Sequence, residues 1–174
     1  IFFQFDKVFE EAGLPKGVIN VVYGSGSTVG DAMVHHDDIR VISFTGSNET
    51  GSHIAAECGR QLKKVSLELG GKNAVIVLDD ADISLAVEGI VWSAFGTSGQ
   101  RCTACSRVIV HEDVKEELEQ RLLTEMEKLT IGNGLDESIK VGPIINEAGM
   151  EKIKKYMEIG KAEGAKLLAG GYAL

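Results

Sequence analysis

The sequence predicts an α/β protein: a portion of a parallel doubly wound sheet, followed by the start of a second α/β domain. Three observations predict it. Short β-branched runs alternate with helical stretches, and strand–helix–strand order with short connections requires crossovers and parallel pairing. Glycines gather where strands hand over to helices, in Gly24-Ser25-Gly26-Ser27-Thr28-Val29-Gly30 and in Thr45-Gly46-Ser47. After Gly70-Gly71 the same strand–helix grammar restarts, which divides the chain into residues 1–69 and residues 70–174.

In chain order, residues 5–12 form the end of a helix, closed by Gly13 and the turn around Pro15. Residues 18–22, a β-branched run bounded by glycines, are predicted as a buried strand. The Gly24 to Gly30 loop then opens a short helix towards His35, whose neighbouring His36 marks a solvated helix end. A strand over residues 40–44, a helix over 49–61 and a strand over 64–69 complete the first part. Ligands of such sheets sit beyond the carboxyl ends of the strands.

In the second part residues 73–78 form a strand, and Asp79-Asp80-Ala81-Asp82 supplies a helix N-cap. Ile83, Ala86, Val87, Ile90, Val91 and Ala94 follow at helical spacing, so that helix packs into a core. A loop rich in glycine and hydroxyl groups, residues 96–103, leads to a strand over 107–111. A helix over 113–129 carries Val114, Leu118, Leu122, Met126 and Leu129 on one face. Residues 130–145 are irregular, a last amphipathic helix spans 147–163, and a strand is predicted over 166–169.

The composition is that of an ordinary folded domain, 44% hydrophobic and 25% charged. No apolar run is long enough for a membrane-spanning helix, and the start does not resemble a signal peptide. A net charge of −8, from 18 basic and 26 acidic residues, argues against nucleic acid or an anionic membrane as partner. Three cysteines without a secretory signal point to a reducing cytoplasm. The opening Ile-Phe-Phe-Gln-Phe and the closing Gly170-Gly171 turn read as the ends of an internal segment of a longer chain.

Chemistry-bearing residues concentrate in two stretches. Glu68-Leu69-Gly70-Gly71-Lys72 sets a carboxylate at the end of a strand, and Gly99-Gln100-Arg101-Cys102 sets a thiol in the polar loop. A thiol nucleophile with a separate carboxylate base suits the formation and hydrolysis of a thioester. Strand alternation alone makes Glu68 an outward carboxylate opposite Val65, Leu67 and Leu69. Gly, Ser, Thr and Gln neighbours are not core material, which sets Cys102 apart from Cys58 and Cys105, both read as structural. Cys102 and Cys105 also match C-x-x-C, but before a strand rather than at the start of a helix, and no second pair completes a zinc pattern, so no metal is expected.

The Gly24 to Gly30 loop has the spacing G-x-G-x-x-x-G, one residue longer than the dinucleotide fingerprint. Phe44-Thr45-Gly46-Ser47-Asn48-Glu49-Thr50-Gly51 also ends a strand and starts a helix. There the glycines admit a pyrophosphate and the helix N-terminus supplies N–H donors. No Lys follows Gly51, which excludes a nucleoside-triphosphate loop.

The Glu-Leu-Gly-Gly-Lys stretch followed by Gly-Gln-Arg-Cys resembles the aldehyde dehydrogenase superfamily. Phe44-Thr45-Gly46-Ser47 with Gly51, Ala12-Gly13-Leu14-Pro15 with Gly17-Val18, and Val141-Gly142-Pro143 stand in the family's order. The resemblance covers essentially the whole chain. It implies an NAD(P)-dependent enzyme of the hydrolytic type, acting on a small-molecule aldehyde, with a Rossmann-like cofactor domain. Cys102 would be the nucleophile, its backbone N–H half of an oxyanion hole, and Glu68 the base that activates water. Gly46, Ser47 and Gly51 would line the pyrophosphate and ribose region, Gly26 the adenine side, and Leu69 and Gly70 the nicotinamide end. The helix after Ser47 would belong to a dimer interface, making the full-length protein a homo-oligomer. Arg101 would either meet a carboxylate-bearing aldehyde or serve a structural ion pair. The family's oxyanion-hole Asn, ribose-binding Lys and Glu-Phe segment have no counterpart in this chain, so the isolated segment is expected to be inactive. The same stretches would also suit a non-catalytic remnant, or a thiol-redox protein using Cys102 and Cys105.

Overall fold

The computed structural model describes residues 2–173. The chain divides into two compact units, Ile1–Leu69 and Gly70–Leu174. Among the described residues each unit contains one two-stranded parallel sheet, so the α/β class follows directly. No helix among the described residues is long and apolar enough to cross a membrane.

The first unit opens with helix α1 (Phe2–Glu11). Its end is a left-handed turn: Gly13 has φ +76°, and the Leu14 N–H reaches back to the Phe9 carbonyl at 3.0 Å. A side chain at Gly13 would strain that turn. A single π-helical turn at Gly26–Gly30 runs straight into α2 (Asp31–His35). Strand β1 (Val41–Gly46), helix α3 (Asn48–Arg60) and strand β2 (Lys64–Leu69) complete the unit. The two strands pair in parallel from Val41 opposite Lys64 to Gly46 opposite Leu69. Val34, Ile54 and the fully buried Cys58 pack on Ile42, Phe44 and Leu67, so α2 and α3 are held to the sheet by burial of their apolar stripes.

Two expected strands are absent. Residues 18–22 enter no ladder; the Val18 N–H instead closes a turn on the Pro15 carbonyl. Val18, Ile19, Val21 and Val22 are all exposed. A β-branched run favours an extended chain but does not itself supply the neighbouring backbone a strand requires. Residues 166–169, beyond the Gly164 turn (φ +90°), likewise form no strand.

The second unit repeats the strand–helix–strand plan: β3 (Asn73–Val77), α4 (Ile83–Phe95) and β4 (Cys105–Val110). The Asp82 carboxylate caps α4 by accepting from the Leu85 N–H at 3.1 Å. Helices α5 (Glu112–Met126) and α6 (Glu147–Ala162) follow. Val77, Val87, Ile90 and Leu118 form the core, with Val75, Val108, Val110, Val114 and Leu122 packed around them. This is the apolar face of α4 read from its spacing, buried between the sheet and α5.

Candidate active site

The candidate site residues fall on both units. In the first unit the carboxyl ends of β1 and β2 bring Glu68, Leu69, Gly46, Ser47 and Gly51 together. Thr45 stands opposite Glu68 in the ladder and Gly46 opposite Leu69. Glu68 is exposed while Leu67 and Leu69 are half-buried, as β alternation requires. Ser47 caps α3: its Oγ accepts from the Thr50 N–H at 3.1 Å and donates to the Thr50 hydroxyl at 2.9 Å. The Gly51 N–H returns to the Ser47 carbonyl at 2.9 Å. Gly51 is buried, and a Cβ there would lie 2.5 Å from Leu69 Cδ2. That glycine therefore lets the first turn of α3 press against the end of β2.

Gly26 lines a groove of about 670 Å³ that Phe44 of β1 also lines. The groove runs between Gly26 and Ser27 on one wall and Glu49, Thr50, His53 and Ile54 of α3 on the other. Nothing stands within 4 Å of a Cβ built on Gly26 or on Gly70, so neither glycine is required by local packing. Asp31, at the groove, faces two imidazoles: His53 Nε2 stands 3.2 Å and His35 Nδ1 3.5 Å from its carboxylate. His35 also faces Glu57 at 3.4 Å. The imidazole of His35 is held above its ordinary pKa, first by its hydrogen bond to the Asp31 carbonyl and then by the charges of Asp31 and Glu57. Glu57 is held below the ordinary carboxylate value, chiefly by its hydrogen bond from Arg60.

In the second unit the thiol of Cys102 is exposed, whereas Cys105 is buried and both are free. The loop that presents Cys102 is left-handed at three successive residues, Thr97 (φ 52°), Ser98 (φ 57°) and Gly99 (φ 66°). Left-handed geometry costs a non-glycine residue about 1–2 kcal/mol, and such backbone persists only where its surroundings fix it. Side chains do so here. Ser98 Oγ donates to the Gly142 carbonyl at 2.9 Å. The Gln100 amide donates to the Pro143 carbonyl at 3.2 Å and accepts from the Ile145 N–H at 2.9 Å. From the other side, Asn73 donates to the carbonyls of Cys102 (2.7 Å) and Ala104 (3.2 Å).

The C-x-x-C spacing resolves into unlike partners. Cys105 is the first residue of β4, and its thiol is directed to the Arg107 carbonyl at 3.3 Å. A register shift between Asn73 and Ala74 leaves Ser106 as the extra residue on β4, and its hydroxyl donates to the Asn73 carbonyl at 3.3 Å. Bulges of this kind re-aim the adjoining chain. Arg101 meets no carboxylate within ion-pair distance among the described residues. Its Nη2 donates to the Trp92 and Ser93 carbonyls at the end of α4, and its guanidinium lies 4.3 Å from the Trp92 ring centroid. The expected structural ion pair of Arg101 is therefore not found among the described residues; helix carbonyls and an aromatic face hold the guanidinium instead.

Two features lie outside the thiol loop. A groove of about 940 Å³ runs beside α4 and α5, lined by residues including Val91, Trp92, Arg121 and Val141. Asp79, His111 and Asp113 converge with ligand atoms within 4.8 Å of one another, all exposed. His111 has a structural task there: it caps α5 by accepting from the Asp113 N–H at 3.4 Å.

Asn73, Ser98 and Gln100 were not singled out by sequence reasoning for this anchoring. Their partners lie 29 to 45 residues away in sequence, and no local pattern identifies them.

Comparison with known proteins adds a family to this geometry. Residues 2–173 match the family model described as "Aldehyde dehydrogenase family". Relatives include 1-pyrroline-5-carboxylate dehydrogenase of Bacillus subtilis (strain 168), 47% identical over 97% of this chain and 34% of its own length. Alpha-ketoglutaric semialdehyde dehydrogenase of the same strain is 46% identical over 95% of this chain and 34% of its own. Among solved structures, betaine aldehyde dehydrogenase from Staphylococcus aureus in complex with NAD+ superposes with a TM-score of 0.93 at 42% identity, covering 97% of this chain and 33% of that one. The chain thus spans about a third of the length of the relatives it matches.

Proposed function

The chain belongs to the aldehyde dehydrogenase family, and from that premise we propose that it is the cofactor-and-thiol portion of an NAD(P)-dependent enzyme that oxidises an aldehyde to a carboxylic acid. Residues 1–69 are the end of the cofactor domain and residues 70–174 the start of the catalytic domain. The observation that supports this most is the exposed Cys102 on a strained loop anchored through Ser98, Gln100 and the Cys102 and Ala104 carbonyls. A nucleophile on a fixed backbone meets its substrate without reordering the loop.

The residues present fit a dinucleotide. The groove between Gly26 and α3 has the size of a small-molecule site, and the N-terminus of α3, behind Gly46 and Ser47, offers N–H donors for a pyrophosphate. Leu69 and Gly70 stand at the end of the strand that carries Glu68. When bound, the dinucleotide supplies the hydride acceptor. Cys102 Sγ, as thiolate, adds to the aldehyde carbon to give a thiohemiacetal oxyanion, which the Cys102 N–H helps to hold. Loss of hydride from that carbon leaves a thioester on Cys102. Glu68 takes a proton from water as the water adds to the thioester carbonyl; the thiolate then leaves and the carboxylic acid is released. Retention of Glu68 favours water over another thiol as acyl acceptor. The full-length protein acts on a small-molecule aldehyde and assembles as a homo-oligomer with α3 at an interface.

The test is rapid-mixing kinetics on the full-length protein. Glu68→Gln should release a single burst of reduced cofactor, accumulate a thioester on Cys102 detectable by intact mass, and turn over slowly. Cys102→Ala should show no burst, and Cys105→Ser should retain turnover. Unchanged steady-state turnover in Glu68→Gln, or equal loss in Cys105→Ser and Cys102→Ala, would overturn the assignment.

A further inference from the structure

The geometry points to Asn133 as a site of spontaneous covalent modification: its carboxamide is converted, through a cyclic imide with the following glycine, into an aspartate or isoaspartate. The observation is the loop between α5 and α6. It is closed at its base, where Ile131 and Val141 form an isolated parallel bridge. The Gly132 N–H donates to the Val141 carbonyl at 3.1 Å, and the Lys140 and Val141 N–H groups donate to the Thr130 carbonyl, each at 3.0 Å. The tip, Asn133-Gly134-Leu135-Asp136, is exposed throughout.

Three local facts favour attack at this position. The Asn133 Oδ1 accepts from the Leu135 N–H at 3.0 Å, which folds the carboxamide over the following backbone and polarises its carbonyl towards addition. Gly134 has no side chain to shield its nitrogen, and nothing stands within 4 Å of where a Cβ would lie. Among the described residues no acceptor takes the Gly134 N–H, so that nitrogen has no hydrogen bond to give up. The atoms balance with water as the sole co-reactant. The Gly134 nitrogen loses its proton to solvent base and bonds to Asn133 Cγ; the Cγ–NH₂ bond breaks and ammonia departs, closing a five-membered imide. Water then opens either carbonyl, which restores the original main chain with a carboxylate side chain or diverts the main chain through the former side-chain carbon.

The other asparagines lack this combination. Asn48 is inside α3 and is followed by Glu49, and Asn73 is in β3 with its amide nitrogen committed to Cys102 and Ala104. Asn146 caps α6 through the Gly149 N–H at 2.8 Å and precedes Glu147, while Asn20 precedes Val21 and donates to the Gly17 carbonyl. The consequence reaches the thiol loop. A main chain lengthened at residue 133 loads the closed loop whose base continues into Gly142 and Pro143, the partners of Ser98 and Gln100.

The experiment is incubation of the purified protein in mildly alkaline buffer, sampled over time, with peptide mapping by mass spectrometry and enzymatic methyl labelling of isoaspartate. Conversion at Asn133 should exceed that at Asn20, Asn48, Asn73 and Asn146 by roughly tenfold or more, a modest difference in barrier. Gly134→Ala should slow it, and Asn133→Gln should remove the labelled peptide. Conversion at Asn133 no faster than at the other asparagines, or unaffected by Gly134→Ala, would overturn the proposal.

Discussion

The Asn73 carboxamide donates to the carbonyl oxygen of Cys102 at 2.7 Å and to that of Ala104 at 3.2 Å, so the residue after Gly-Gly-Lys holds the segment that carries the thiol. The start of β3 is thus tied directly to the thiol loop within the second unit. Asn73→Ala removes both bonds. A loss of about 1 kcal/mol is expected, the scale of a hydrogen bond or two at a partly solvated site, read as a lowered urea midpoint. Alkylation of Cys102 by iodoacetamide should change in rate in the same variant, while alkylation of the buried Cys58 at matched stability should not.

Gly99 is the position where the loop has least freedom to change. Its φ is +66°, and a Cβ there would lie 2.7 Å from the Ala94 backbone oxygen. Backbone cannot swing aside as a side-chain tip can. Gly99→Ala should cost on the order of 2 kcal/mol from left-handed strain and the clash together. Thermal unfolding measures that cost. At Gly26, where a Cβ meets nothing within 4 Å, the same substitution should leave the midpoint nearly unchanged.

Arg101 gives a prediction with its own optical reporter, because Trp92, over which its guanidinium stacks at 4.3 Å, is the single tryptophan of the chain. Arg101→Lys keeps the charge but loses the planar group that meets both the ring and the α4 carbonyls. The variant should lose about 1 kcal/mol and shift the tryptophan emission. An unaltered spectrum with unaltered stability would place the guanidinium elsewhere in solution.

Much of this arrangement was legible in the sequence because it is local. Glu68 alternates with Leu67 and Leu69 on one strand, Asp82 precedes the apolar run it caps, and Ser47 stands one residue before the helix it starts. What was not legible depends on distant partners. The β-branched residues 18–22 carry a strand's side chains, but no neighbouring backbone pairs with them in this unit. Gln100 looks like any polar loop residue until Pro143 and Ile145 are seen across its amide. Arg101 shows the same limit: beside a nucleophile it suggests a substrate carboxylate, yet its partners are the last turn of the preceding helix. Pattern identifies what a residue prefers, and only the fold determines which partner it finds.

The contact between α2 and α3 should depend on pH through a cluster of facing charges. His35 lies between Asp31 and Glu57, His53 reaches Asp31, and Arg60 pairs with Glu57. His35 is raised above 6.5 in the fold, so its contribution is fully present below its unfolded value and is lost as pH rises through the raised folded value. Glu57 is lowered below 4.5, so its contribution is present above 4.5 and is lost as pH falls through the lowered value. Both act together between about pH 4.5 and 6.5, the ordinary values of the two groups. Hydrogen exchange at α2 amides, corrected for intrinsic rates, should be slowest relative to those at β3 within that window. His35→Gln should flatten the upper limb of the profile and leave the acid limb in place, since Glu57 keeps its hydrogen bond from Arg60. A profile for α2 that parallels β3 across the whole range would show that these charges, half in solvent, do not govern how the two helices are held.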